Sequence, residues 1–511
     1  MRAWLGRLVV GYVLLMAGWP AVHLLFWAEG LGTDEVEPLF AFFGQRLAYT
    51  ALQASLSALL CAAVGVPVAW VLARYTFWSR SFWVRGLMLP FVIPTLVAAM
   101  GVLALFGPQG LWPSWGATLG PLAMLVYGNV FFNTGLIVKA CMDGLQRVDL
   151  RLLEVARTLG ASPWRVFWQV EWPLMRPWLW SALLLVFLYC FSDFGLVLVL
   201  GGSRFASLEV VIYQLIAHEL DLVQARYWAL ASVLLHAGLA LLYLYVQSRQ
   251  ASRTDVKPRP LSIVKGLPAQ LSVLAVCSTL VLLTWAPIVA VAWGAWLAVD
   301  LQTLQTLAQD TPFFLAVANT LLFGLAGVVL ATCLGMLQGW STQNTRIWAY
   351  APFMVSPVLV GFGLLSAYPS MAGHGAVLVS AYAFLAFPFV AQAIHAWRDS
   401  VPGTWAQAAA TLGASPWRVW WRIEWPLSRP YLRRGVAIAA ATCMGEFAVS
   451  LFLSRPEWIT LSTYVYEQLG RPGAQHHAQA LIASTVLLCL AMCCFVLIDV
   501  GTEPRRPHAQ N

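Results

Sequence analysis

Apolar runs of about twenty residues recur along this chain, separated by shorter stretches that hold most of its charge. They lie near 8–27, 48–73, 86–107, 121–142, 178–200 and 227–247, and again near 271–297, 313–338, 347–368, 374–395, 435–453 and 478–498. Each is close to the ~20 residues that cross a ~30 Å hydrocarbon core as an α-helix. The pattern predicts an all-α integral membrane protein of about 12 transmembrane helices. The first run follows Arg2 and Arg7 and has no small-residue cleavage site after it, so it reads as a retained anchor.

Composition agrees. Hydrophobic residues make up 60% of the 511 and charged residues only 10%, where a soluble domain carries about a quarter. The formal charge of +8 raises the question of a nucleic-acid partner, and its placement answers it. With twelve spans both termini share one side, and all but five of the 30 Lys and Arg fall there. The five are Arg46, Arg204, Arg226, Arg455 and Arg471. Basic residues stay cytoplasmic during insertion, so both termini are expected in the cytoplasm and the partner of the surface is lipid, not nucleic acid. The nine cysteines lie in or beside apolar runs without ligand or redox spacing, and adjacent His476 and His477 point apart on a helix. No metal site is expected.

The chain is written twice. Residues 158–177, TLGASPWRVFWQVEWPLMRP, return at 411–430 as TLGASPWRVWWRIEWPLSRP, with sixteen of twenty positions identical. Upstream, PFVIPTLVAAMGVL from Pro90 recurs loosely as PFMVSPVLVGFGLL from Pro352. Downstream, Ser-Asp-Phe at 192–194 answers Gly-Glu-Phe at 445–447. Six spans per copy is an even number, so the copies enter the membrane in the same orientation, as a parallel repeat. The expected organisation is a first half at 1–247, a basic linker at 248–268, and a second half at 269–511.

The duplicated segment falls between the fourth and fifth spans of each half, on the cytoplasmic side. Its first part suits a short helix ending at Gly160, which can take the left-handed conformation. Ser162 before Pro163 is an N-cap with proline at the first helical position. A second helix then carries Trp164, Phe167 and Trp168. Gly413, Ser415, Pro416, Trp417, Trp420 and Trp421 repeat the arrangement. Such a helix–turn–helix could pack on the bundle or on a partner. The loops resemble each other far more than the spans do, and a shared external surface that binds both accounts for this.

These residues resemble the EAA loop of bacterial ABC-importer permeases, with the pattern E-A-A, glycine four residues on, and a later apolar residue before proline. Glu154, Ala156, Gly160, Val170 and Pro173 match it in the first half; Ala408, Ala409, Gly413, Ile423 and Pro426 match it in the second. The leading acid becomes Gln407 in the second half, and Trp172 and Trp425 stand in place of leucine. Two fused six-span halves, with Asn129-Val-Phe-Phe-Asn133 and Leu208-Glu209-Val-Val-Ile-Tyr213, resemble the ferric-iron and thiamine permeases. The resemblance implies the MetI-like fold of type I importers in the bacterial inner membrane. It implies two ATP-binding-cassette ATPase subunits beneath the loops and a periplasmic substrate-binding protein. Ferric iron is the expected substrate, with thiamine the alternative. The coupling residues it implies are Glu154, Ala156, Gly160, Ala161, Ser162, Trp164 and Pro173, with Gln407, Ala409, Gly413, Ala414, Ser415, Trp417 and Pro426. No catalytic residue or bound cofactor is expected. The only lysines, Lys139, Lys257 and Lys265, lie outside any phosphate-cradling motif, so ATP belongs to the partner subunits. A secondary transporter would not need two near-identical loops.

Asp193 and Glu446 occupy the same point of the fifth span in each half. An intramembrane acid is a pathway candidate because its charge is costly against lipid. Helix–helix bonding, an interfacial position or protonation are the alternatives. Asn129 and Asn133 share one helix face and could line the route or join helices.

Overall fold

The computed structural model describes residues 2–26, 33–87, 89–202, 205–248, 261–401, 404–453 and 455–499. Arg204, Lys257 and linker residues 249–260 lie outside them. The described chain is helical, apart from one short parallel pairing of Tyr75–Thr76 with Ser262–Ile263. Among the described residues nine helices are long and apolar enough to cross a membrane, or eleven if two sharply bent pairs each count as a span.

The bent pairs are the third spans of the two halves. In the second half, Thr345–Met354 and Pro357–Ala367 meet at 93°. Ser356 sits between them and accepts the Leu359 N–H at 3.2 Å, so the new helix starts on a proper cap. In the first half, Arg80–Val92 breaks before Thr95–Phe106 at the corresponding Pro94. The expected span at 435–453 differs from a single apolar rod. It is the helix Trp425–Gly445, which carries Arg429, Arg433 and Arg434, followed by a break at Glu446 and the short helix Ala448–Leu453.

The chain packs as two compact units, Ala28–Val299 and Met1–Trp27 with Asp300–Asn511. These differ from the repeat halves 1–247 and 269–511, because the first span of each repeat packs within the unit built from the other. In one unit, Leu267–Ala298 lies against the third span of the first half. A Cβ placed on Gly101 would sit 2.8 Å from the Pro287 carbonyl oxygen. Phe82 stacks on Trp285 at 5.3 Å, and Tyr127 donates to the Leu282 carbonyl at 2.9 Å. In the other unit, Trp4–Leu24 does the same: a Cβ on Gly363 would lie 2.9 Å from Pro20 Cβ, and Tyr368 donates to the Leu15 carbonyl at 2.9 Å. Gly101 with Pro287 and Gly363 with Pro20 are one contact made twice. Both first spans also contain a π-helical turn, at Leu14–Gly18 and Val281–Trp285.

This close approach leaves no room for a side chain. Gly101→Leu or Gly363→Leu is expected to destabilise the chain by about 1–3 kcal/mol through overpacking. A lowered thermal midpoint of the detergent-solubilised protein, with a smaller drop at the open Gly238→Leu, checks this.

Candidate functional site

The duplicated loops fold as their sequence predicts. In the first, Asp149 caps the helix Leu150–Thr158 by accepting the Arg151 N–H at 3.0 Å. That helix ends at Gly160 with φ +78°. Gly160 N–H reaches the Arg157 carbonyl at 2.9 Å and Ala161 N–H the Ala156 carbonyl at 3.0 Å, a paired closure that satisfies the last helical carbonyls. Ser162 then accepts the Arg165 N–H at 3.4 Å to start the next helix. The second loop reproduces this: Gly413 has φ +81°, Ala414 N–H reaches the Ala409 carbonyl at 3.0 Å, and Ser415 accepts the Arg418 N–H at 3.4 Å.

Burial sorts the motif. Ala156 and Ala161 pack around a small core of Val148, Leu153 and Val166, which explains why small apolar residues stand there. Glu154 and Gln407 are exposed. So are Leu159 (81%) and Leu412 (89%), Trp164 (70%) and Trp417 (69%). Phe167 and Trp420 instead turn inward, onto Trp70 at 6.5 Å and Trp340 at 5.8 Å, at the end of the second span of each half. One aromatic of each loop therefore anchors it to the bundle, and another stays outside. In both loops the chain then passes through a π-helical turn, Phe167–Glu171 and Trp420–Glu424, before the long helix that carries Pro173 or Pro426.

Glu171 was not singled out by the sequence. It is fully buried and ion-paired with Arg74, whose guanidinium lies 3.9 Å over the Trp70 ring. The pair ties the first loop's helix to the end of the second span. Its signal was the Glu-Trp-Pro triplet common to both copies. The span-2 partner could not be read, because the corresponding position in the second half is Asn344.

The intramembrane candidates are placed in backbone roles. Asp193 Oδ1 accepts the Leu196 N–H at 3.2 Å, and Glu446 Oε1 accepts the Val449 N–H at 3.1 Å. Each acid thus caps the helix that resumes after a break in the fifth span. Asp193 Oδ2 is buried with no hydrogen-bond partner among the described residues. Asn129 and Asn133 are buried and joined to neighbouring helices. Asn129 donates to Gln53 Oε1 at 3.0 Å, Asn133 to the Asn129 carbonyl at 3.1 Å and to Cys190 Sγ at 3.5 Å, while Gln53 donates to the Cys190 carbonyl at 2.6 Å. The network joins the second, fourth and fifth spans of the first half.

Residues 65–254 match the family described as binding-protein-dependent transport system inner membrane component. The chain is 27% identical over 480 residues to the thiamine transport system permease protein ThiP of Escherichia coli, covering 88% of this chain and 87% of that one. It is 25% identical over 528 residues to ThiP of Haemophilus influenzae, covering 96% and 95%. The molybdenum transport system permease protein ModB of Azotobacter vinelandii is 32% identical over 204 residues, 90% of its own length but 38% of this chain.

Arg74→Met removes the guanidinium that is ion-paired with the buried Glu171. That substitution is expected to cost about 3–5 kcal/mol, and Arg74→Met with Glu171→Leu to recover part of it, since the buried carboxylate is then removed as well. Thermal unfolding of the three proteins checks this. Asp193→Ala removes a cap and is expected to cost about 1 kcal/mol, whereas Asp193→Asn keeps an accepting oxygen and costs less.

Proposed function

We propose that this chain, a fused two-half permease of the binding-protein-dependent transport family, imports thiamine across the inner membrane on energy supplied by separate ATPase subunits. The observation that carries the substrate is the alignment across both halves, 88–96% of the chain, with permeases named for thiamine transport. The sequence features resembling the subgroup are shared by ferric-iron and thiamine permeases; these relatives favour thiamine over the expected ferric iron.

The two loops support a pair of ATPase subunits. Each presents an exposed leucine and tryptophan around a glycine turn of the same geometry, with φ of +78° and +81°. Exposed apolar groups on a rigid turn are the anchors by which one protein seats in a pocket of another. Two equal anchors call for two equal sockets, one per subunit. ATP is bound and hydrolysed there, not on this chain. A periplasmic binding protein delivers the substrate from the other side. The charge distribution supports cytoplasmic termini and cytoplasmic loops. The anchoring of Phe167 and Trp420 on the second spans gives a mechanical route: a push on a loop reaches the bundle through ring contacts, and in the first half through the Arg74–Glu171 pair.

Asp193 and Glu446 are proposed to line the translocation route as well as cap helices. Their equivalent positions and the unmatched Asp193 Oδ2 support this. Asn129 and Asn133 act chiefly as interhelical bonds, and their hydrogen bonds support that division.

Reconstitution with the ATPase and binding protein is expected to give ATP-dependent uptake of labelled thiamine and none of ferric iron. The reverse result rejects the substrate. At positive φ a β-branched residue is strained by roughly 1–2 kcal/mol. Gly160→Val with Gly413→Val is therefore expected to reduce uptake more than tenfold at normal membrane insertion, with loss of ATPase co-purification. Because Glu154 is charged and Gln407 is not, Glu154→Ala is expected to weaken docking more, by about 0.2–1 kcal/mol and less at high salt. Equal losses across a salt series would remove the electrostatic role.

A further inference from the structure

A polar cavity of about 220 Å³ is lined by Ser341, Thr342, Arg346, His395, Arg398 and Asp399. All six belong to the unit of Met1–Trp27 and Asp300–Asn511. The cavity lies where the helix Thr311–Gly339 turns into the bent pair and where Gly375–Ser400 ends, four residues before the second loop's helix begins at Thr404. Arg398 Nη1 donates to the carbonyls of Gly339 and Ser341, at 2.9 Å each, so this turn is held in a fixed shape. Arg346 donates to both carboxylate oxygens of Asp399, at 3.1 and 2.5 Å, and the pair is partly open to solvent at 33% and 58% exposure.

His395 is the unmatched element. Its residue is 4% exposed, it bonds the Gln338 backbone, and its Nδ1 is buried with no partner among the described residues. A buried polar atom without a partner is costly, so a site of this kind is built to hold something polar. The six lining residues include two guanidiniums and one carboxylate. Arginine N–H groups suit phosphoryl oxygens, and a hydrogen-bearing phosphoryl oxygen is a donor of the kind that a neutral Nδ1 accepts. At about 220 Å³ the cavity is below the ~300 Å³ at which drug-sized ligand pockets begin. It suits one small anion and a few waters.

The first repeat has no such chemistry. Aligning the spans on Gly65 and Gly335, which take the closest approach of Ile137 and Val390, puts Val71, Leu72 and Thr76 opposite Ser341, Thr342 and Arg346. Met142, Leu145 and Gln146 stand opposite His395, Arg398 and Asp399. A set of six positions that is largely apolar in one copy and polar in the other is not a requirement of the shared fold.

We propose that this cavity binds a phosphoryl anion at the root of the second coupling loop, so that the two loops of one chain answer differently to a ligand. The occupant is a free phosphate or phosphate ester, or the headgroup of a phospholipid. The test uses the full chain in nanodiscs made only of a phosphate-free galactolipid, titrated with inorganic phosphate. Alongside it, native mass spectrometry of chain extracted from membranes counts retained phosphatidylglycerol. Saturable binding of one phosphate per chain, weakened at least tenfold by Arg346→Gln and by His395→Phe, supports the proposal with a free anion. No phosphate binding, but one retained phosphatidylglycerol that both variants lose, supports it with a headgroup. If Arg346→Gln fails to fold, His395→Phe decides alone, because it leaves the Arg346–Asp399 pair in place. Wild-type chain that binds neither ligand, or variants that bind as wild type does, overturns it.

Discussion

Within a hydrocarbon layer a backbone N–H or C=O left without a partner costs several kcal/mol, and water is not there to supply one. Unbroken helices meet this demand by themselves, so it falls on the places where helices stop. In this chain those places are met by side chains, at matching points in the two repeats. Asp193 and Glu446 receive the N–H groups of Leu196 and Val449 after the break in each fifth span. Thr50 and Thr320 receive those of Leu208 and Leu461 at the start of the next short helix. Two hydroxyls, Ser450 and Ser462, meet the carbonyl of Glu446 at 2.8 and 3.1 Å. Irregular backbone at membrane depth is tolerated where protein or a cavity surrounds it.

The same demand is met differently where the repeats have diverged. Gln53, Asn129 and Asn133 bond three spans of the first half. In the second half Phe323, Tyr382 and Ala386 stand at the corresponding positions, and the Tyr382 hydroxyl pairs with Ser450 instead. Packing between first and third spans has not diverged in this way: glycine meets proline in both units. A contact without side-chain volume admits few substitutes, whereas a hydrogen bond can be rebuilt from several residue types. The loops, which keep both their backbone turn and their exposed apolar tips, are the most strictly repeated part of all.

Much of this was legible in the residues. Span positions follow from apolar runs near the length of a bilayer core, and eleven of the twelve correspond, among the described residues, to a long apolar helix or a bent pair. The twelfth carries Arg429, Arg433 and Arg434 toward one end and is interrupted at Glu446. The glycine turns, the serine caps and the prolines after them are local chemistry within a few residues, and local chemistry can be read along a line. The sequence by itself determined the membrane class, the duplication, the two loops and their conformation. Only the tertiary structure decided that each first span joins the unit of the other repeat, and that Arg74 reaches Glu171 across 97 positions. It also brought Ser341 and Thr342 to His395 and Arg398 around one cavity. These pairings depend on which helix faces which, and that is set by the fit of surfaces far apart in the chain, for which a single sequence carries no periodic signal.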